Sequence, residues 1–435
     1  MDPIALWLFV PVWVGALALA RGLRRRLIGV TTFFTAVSVL YILLPIFFYS
    51  GDAPLFLALV AGSGLAIVGF WLGFTGPTGF REPVAEVVAD RPLETTRLGH
   101  TAVVLMTIGL LSVAIANPNV LSQVGTYEGR VAFQSGRGIE PFLLNQVVVG
   151  LGAVVLLALE RRWWMVALLA SIAGVGWAVY SSHKLSMLTT LAAWFAWWIA
   201  GVWHGQRSVR LAWLGIALLP LILPMLLVYS FLRAGSPGDL SDAVALAVNN
   251  LDRLGDAGVM VGDFDGPYRV LIATLENRAS DVVLGWTYVS QLAVLMPRGF
   301  RGDFLDLAEE FARLQLGSAW QPGMGLAFSP WAEGVLNFGL FGFFVEAFLF
   351  GLILSALVRS GRAAFGRDGA LLLYCLAPQI VLFQRGYLVG VVKNVVVYAL
   401  PLVCVWLALG WLGRIASSTP IPIDSRRFAR DTLAD

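Results

Sequence analysis

The run Leu55-Phe-Leu-Ala-Leu-Val60-Ala-Gly-Ser-Gly-Leu-Ala-Ile-Val-Gly-Phe70-Trp-Leu-Gly-Phe74 carries no charge and does not alternate between apolar and polar positions. Coiled as an α-helix at about 1.5 Å per residue, it is about 30 Å long, the thickness of a bilayer's hydrocarbon core. A transmembrane barrel strand is shorter and shows a period of two, so this run is a helix. Runs of the same kind recur along the chain, at 4–20, 28–49, 55–74, 99–116, 141–159, 164–181, 187–203, 211–232, 327–357, 370–384 and 391–412. The ninth is long, and Pro330 near its start is the expected place for a break. The fold class is therefore an all-α polytopic membrane protein with about eleven transmembrane helices.

The composition agrees. Of 435 residues, 58% are hydrophobic and 13% charged, against about 45–50% and about 25% in soluble domains. No soluble fold of this length hides that surplus, so a soluble enzyme, a coiled coil and a disordered scaffold are excluded. Net charge is +3 and is spread over many loops, leaving no nucleic-acid footprint. Cys375 and Cys404 both lie in apolar runs and read as small buried hydrophobes. His100, His183 and His204 stand too far apart for metal-ligand spacing. No GxxxxGK[ST] phosphate loop is present, which excludes an ATP-driven pump encoded in this chain alone.

Basic residues orient the spans. One alternate set of loops holds Arg21, Arg24–Arg26, Arg81, Arg91, Arg97, Arg161, Arg162, Arg207, Arg210, Arg359, Arg362 and Arg367, and leads to a tail with Arg414, Arg426, Arg427 and Arg430. The other set holds fewer, and most of those lie in one long loop, which the positive-inside rule discounts. The first set is therefore expected in the cytoplasm, with the N-terminus outside. The first span lacks a preceding positive residue and is followed by four arginines, the wrong polarity for a cleaved signal peptide. The expected organisation is spans one to eight over 1–232, an outer loop over 233–326, spans nine to eleven over 327–412, and a cytoplasmic tail over 413–435.

The long loop has the pattern of a folded cap. Leu240, Val244, Val248, Leu251 and Leu254 recur at helical spacing, as do Leu307, Phe311 and Leu314. Tyr268–Glu276 and Trp286–Met296 read as shorter helices, with Gly266-Pro267 and Pro297 as punctuation.

Polar residues gather at the expected outer edge. They include Tyr127-Glu128-Gly-Arg130, Arg137-Gly-Ile-Glu140, His183-Lys184, Gln384-Arg385-Gly-Tyr387, and Phe328-Ser-Pro-Trp331-Ala-Glu333 running on to Asn337. Charge at a membrane edge is costly and points to function. Several cations and one carboxylate, without metal ligands, suit a lipid-linked diphosphate. Arginine grips phosphate through a planar two-pronged fork. Fixed cations also stabilise a departing diphosphate. An attacking sugar hydroxyl needs a general base. Glu333 is the candidate, since its apolar neighbours Trp331 and Val335 keep water away. The same residue could instead serve as a structural acceptor for backbone groups.

Tyr268 to Gly342 carries a further pattern: Arg278, Gly285-Trp-Thr-Tyr288, Leu295-Met-Pro297-Arg298, Gly323-Met-Gly325, Ser329, Glu333, Asn337-Phe338-Gly339 and Gly342. With the number of spans and the late outer loop, this resembles the bacterial O-antigen and oligosaccharide repeat-unit polymerases of the Wzy type. An Arg-x10-Gly pattern seen in some of those proteins does not recur here. The resemblance implies a GT-C-like, metal-independent glycosyltransferase without a cofactor, in the bacterial cytoplasmic membrane. It would move a growing glycan from undecaprenyl diphosphate to the next lipid-linked repeat unit, beside a flippase and a chain-length regulator. Glu333, Arg137 and Arg278 are then the expected catalytic residues. Arg130, Lys184, Arg269, Arg298, Arg385, Tyr288 and Asn337 are expected to hold diphosphate and glycan. An O-antigen ligase would share this topology but favours a histidine in the large loop, which has none. A transporter or flippase for the same lipids predicts internal repeats and midplane polar groups, and neither is evident.

Overall fold

A computed structural model of the chain describes residues 30–43, 53–75, 93–116, 140–180, 184–203, 262–277, 283–296, 300, 304–319, 328–365 and 368–418. Among the described residues the structure is helical throughout, without strands. The helices are α1 (Val30–Leu43), α2 (Ala53–Thr75), α3 (Thr95–Ala116), α4 (Glu140–Glu160), α5 (Trp164–Tyr180), α6 (Lys184–Trp203), α7 (Gly262–Asn277), α8 (Trp286–Gln291), α9 (Leu307–Leu316), α10 (Pro330–Phe338), α11 (Gly342–Phe365), α12 (Gly369–Phe383) and α13 (Leu388–Ser418). Among the described residues three stretches are long and apolar enough to cross a membrane: Leu57–Phe74, Pro330–Phe365 and Leu388–Ile415. Shorter apolar helices, Thr95–Leu111, Asn145–Glu160, Trp164–Trp177, Leu188–Gly201 and Gly369–Phe383, accompany them. The expected spans 4–20 and 211–232, and the amphipathic run from Leu240, lie outside the described residues.

The break in the ninth expected span falls elsewhere than at Pro330. Pro330 opens α10, behind Ser329, whose hydroxyl accepts the Ala332 N–H at 3.4 Å. A first-turn N–H has no helical partner, so proline costs nothing there. The interruption comes instead at Gly339–Phe341, where Gly339 adopts φ +61°. Gly334 and Gly342 meet across this turn so closely that a Cβ on either would strike the other's backbone. Gly266-Pro267 likewise fails to end a helix, because α7 runs through Pro267 near its N-terminal end. Cys375 is buried as expected, but Cys404 is exposed on the outward side of α13, and both are free thiols.

α2 and α11 pack along their lengths. Gly69 and Gly73 lie against the Phe344 and Phe348 carbonyls, and Gly351 against the Phe70 carbonyl, with no room for a Cβ. Small residues let helix backbones approach in this way, and van der Waals contact replaces the hydrophobic drive that lipid does not supply. Stacked rings fill the adjoining core: Phe34 on Phe70 (centroids 3.6 Å apart), Phe350 on Phe383 (3.9 Å) and Trp331 on Phe343 (5.6 Å). A second core joins α3, α4, α6, α12 and α13.

One end of the bundle is charged. Arg97 donates through both Nε and Nη2 to the Trp406 carbonyl, and its guanidinium lies 4.2 Å from that indole's ring centre. Gly410 makes the room, since a Cβ there would strike the guanidinium. Arg161 donates to Thr95 Oγ1 at 3.2 Å. Asp368 joins the group between α11 and α12. Burial first, and the Glu94 carboxylate next, push its carboxyl up to about 7, with Arg97 acting against them and Glu160 adding to them. The folded state therefore keeps a proton that the unfolded chain releases near the ordinary carboxyl value of about 4. Stability is full below that value and is lost as pH rises through about 7. Asp368→Asn removes the titration. Thermal unfolding in detergent should show the variant losing less stability than the parent between acidic and mildly basic pH. Equal losses in the two proteins would contradict the assignment.

Candidate functional site

The opposite end gathers polar groups in a dry setting. The loop before α8 docks on the last turn of α10. The Val283 N–H donates to the Leu336 carbonyl at 3.0 Å, and the Leu284 N–H to the Asn337 carbonyl at 3.1 Å. These bonds satisfy carbonyls that a helix C-terminus leaves without partners. Gly285, at φ +83°, then turns the chain into α8 in a conformation that a side chain would strain.

That docking brings Thr287 over Glu333. Glu333 is fully buried. Its Oε1 accepts from the Thr287 hydroxyl at 3.1 Å, and its Oε2 accepts the Leu388 N–H at 2.7 Å. Leu388 is the first residue of α13, so the carboxylate fills one of the vacant bonding positions of that helix and faces the positive end of its dipole. One turn along α10, Asn337 Nδ2 donates to Thr287 Oγ1 at 2.5 Å and to the Glu333 carbonyl at 2.9 Å. Asn337 Oδ1 accepts the Thr287 N–H at 3.4 Å. One threonine thus bonds to both α10 side chains.

A second carboxyl lies beside the first. Glu346, fully buried on α11, accepts from the Tyr288 hydroxyl at 2.5 Å and stands within the electrostatic reach of Glu333. Burial, then the Glu346 and Glu333 carboxylates, push the Tyr288 phenol well above its ordinary value. Tyr288 keeps its proton and acts toward the carboxyls only as a donor. Two carboxyls that also interact directly with each other, one under a threonine and one under a tyrosine, form the kind of pair that divides acid and base roles.

A cation lies near this network in the sequence. Arg385 is half-buried in the turn between α12 and α13, three residues before Leu388, and its guanidinium hydrogen-bonds the Tyr41 hydroxyl. Beside it, Gln384 Nε2 donates to Ser38 Oγ at 2.8 Å. α1 and the α12–α13 turn are thereby joined next to Glu333.

Of the expected site residues, Glu333, Tyr288 and Asn337 are drawn into one network, with Arg385 close by in the chain. Arg269 is exposed on α7, and Lys184 is the first residue of α6. Arg130, Arg137, Arg278 and Arg298 lie outside the described residues. Thr287 and Glu346 were not anticipated. Glu346 had a legible signal, a lone acid inside an apolar run. Thr287 had none beyond its place beside Tyr288. Chemically, the site offers a buried carboxylate able to take a proton, a second carboxyl held by a phenol, and a nearby guanidinium able to bind an anion.

Comparisons of the chain with protein-family profiles, with curated proteins and with solved structures give no match.

Proposed function

We propose that this chain is a membrane glycosyltransferase that joins undecaprenyl-diphosphate-linked oligosaccharide repeat units into a surface polysaccharide. In this reading the protein has eleven spans and a GT-C-like arrangement in a bacterial cytoplasmic membrane. The end of the bundle that carries Glu333 faces outward. A flippase supplies the lipid-linked units and a chain-length regulator works alongside. The observation that carries the proposal is the meeting of Thr287 with Glu333 and Asn337, 46 and 50 positions away, in one buried network that Tyr288 also joins. They come from the stretch on which the family resemblance rests.

The chemistry follows from the same contacts. Glu333 Oε1 accepts from the Thr287 hydroxyl. A sugar hydroxyl that replaces it meets the carboxylate at proton-transfer distance. The hydroxyl oxygen then bonds to the anomeric carbon of the growing glycan. The bond from that carbon to the diphosphate oxygen breaks, its electron pair leaves with undecaprenyl diphosphate, and the hydroxyl proton passes to Glu333. Arg385, with Arg130, Arg137, Arg278 and Arg298 from the loops, neutralises the departing diphosphate. Glu346 and Tyr288 hold the adjoining wall.

Loss of the gene separates this reading from its rivals. Surface glycan from a deletion strain should run as core bearing a single repeat unit, without the ladder of longer chains. Core with no repeat unit at all would indicate a ligase, and repeat units trapped in the cytoplasm would indicate a flippase.

A further inference from the structure

α8 and the turn after it are built inside out. Within Trp286–Leu295 the side chains that face the protein are Thr287, Gln291 and Val294, spaced at four and three residues. Two of these three are polar. Thr287 joins the Glu333 network, and Gln291 Oε1 accepts the Leu307 N–H at 3.1 Å. The side chains that face away are apolar: Leu284 and Phe300 (each 80% exposed), Trp286 (64%), Val289, Leu292, Leu295 and Met296. No charged residue occurs from Val282 to Pro297. A helix on a soluble surface shows the reverse arrangement. Leaving this many apolar side chains in water would be costly.

Its position identifies the neighbour. Thr287 and the first N–H of α13 bind the same Glu333 carboxylate, so α8 lies level with the start of a helix long enough to cross a membrane. The turn Leu292–Leu295 packs directly on α13, whose own outward residues Val396, Leu400, Leu407 and Trp411 are apolar. The turn after α8 therefore lies against a helix whose exposed side chains from Val396 onward are largely apolar. The start of a spanning helix sits at the boundary between headgroups and acyl chains.

We infer that Leu284–Met296 is embedded in the outer leaflet of the bilayer as an interfacial segment, with its exposed apolar side chains in contact with lipid acyl chains and Thr287 and Gln291 turned inward. The segment is a membrane anchor for the loop, and this holds whichever reaction the site performs. Trp286 suits the role, because indole rings favour the interface. Such segments bind in proportion to the apolar area they bury among lipids. The anchor fixes the height of Thr287 and Tyr288 relative to the membrane, and so the height of the carboxyl pair beneath them.

Site-directed spin labelling reads this directly. In a full-length background carrying Cys375→Ser and Cys404→Ser, nitroxide labels go on through Trp286→Cys, Val289→Cys, Leu292→Cys or Met296→Cys, one at a time. The protein is reconstituted in vesicles of phosphatidylethanolamine and phosphatidylglycerol. Collision with molecular oxygen, which concentrates in the bilayer, is compared with collision with a water-soluble nickel chelate. Labels at all four positions should collide with oxygen several-fold more readily than with nickel. A nickel excess would place the segment in water and overturn the inference. Low access to both reagents, with spin–spin broadening on full labelling, would show a second copy of the chain on this face and would overturn it as well. Low access without broadening would show cover from another part of this chain, with the same consequence.

Discussion

Glu333→Gln should abolish chain extension while leaving the protein folded. The amide keeps the size and shape of the carboxyl. Its oxygen can still accept the Leu388 N–H, and its NH2 can donate to Thr287 Oγ1, so the bonds that tie α8, α10 and α13 together survive in kind. The amide cannot take a proton. Loss of a general base costs about 100- to 10,000-fold in rate. The ladder should therefore collapse to single repeat units, with the variant still present in the membrane and its melting temperature close to that of the parent. Glu333→Ala separates the two roles further. It leaves the buried Leu388 N–H without an acceptor, at a cost of about 1–3 kcal/mol, and should lower stability as well as activity. Parent-like ladders from Glu333→Gln would leave Glu333 with only its structural part, that of an acceptor at the start of α13.

Gly73→Leu should give the largest loss of stability. The site has no room even for a methyl group, because the first atom of any side chain meets the Phe348 backbone of α11. Two helix axes must separate, and the contacts along α2 and α11 are lost together. Overpacking a core commonly costs about 1–3 kcal/mol, and more where backbone must move. The loss here should be at the top of that range or beyond it. Gly64 is the control. It lies on the same helix, and a Cβ there meets nothing within 4 Å. Gly64→Leu should elute from gel filtration in detergent as the parent does, while Gly73→Leu should melt well below it or aggregate. Equal behaviour of the two variants would contradict the close α2–α11 contact. The consequence reaches the site, since α11 carries Glu346 and, through the Gly334–Gly342 approach, fixes α10 and Glu333.

Much of this architecture was legible in the chain. Apolar runs without charge gave helices in the described residues close to where they occur, because length and hydropathy are local properties. Trp286–Met296 reads as a short helix and Leu307, Phe311 and Leu314 recur at helical spacing, and α8 with its following turn, and α9, occupy those places. The position of the break was not legible. Pro330 is the stronger sequence signal, yet a proline in a first turn continues a helix, and the positive φ of Gly339 depends on the close packing of Gly334 with Gly342. Cys404 was misplaced for a related reason. In a soluble protein an apolar run implies burial, whereas a helix facing lipid also exposes apolar residues on its outer side. Within the site, Glu333, Tyr288 and Asn337 stood out by motif. Their partners did not. Thr287 matters because backbone hydrogen bonds from Val283 and Leu284 dock its loop on α10, and no spacing rule carries a contact between residues so far apart in the chain.

In the proposed function the network around Glu333 makes a glycosidic bond and is more than a helix junction. Purified protein in vesicles, supplied with a synthetic undecaprenyl-diphosphate-linked repeat unit and neither metal nor nucleotide, tests it most directly. The parent protein should give a ladder of lengthening chains, with one undecaprenyl diphosphate released for each unit added, and Glu333→Gln should give neither product. Movement of the intact lipid-linked unit between leaflets, with no new bond and no diphosphate released, would contradict it.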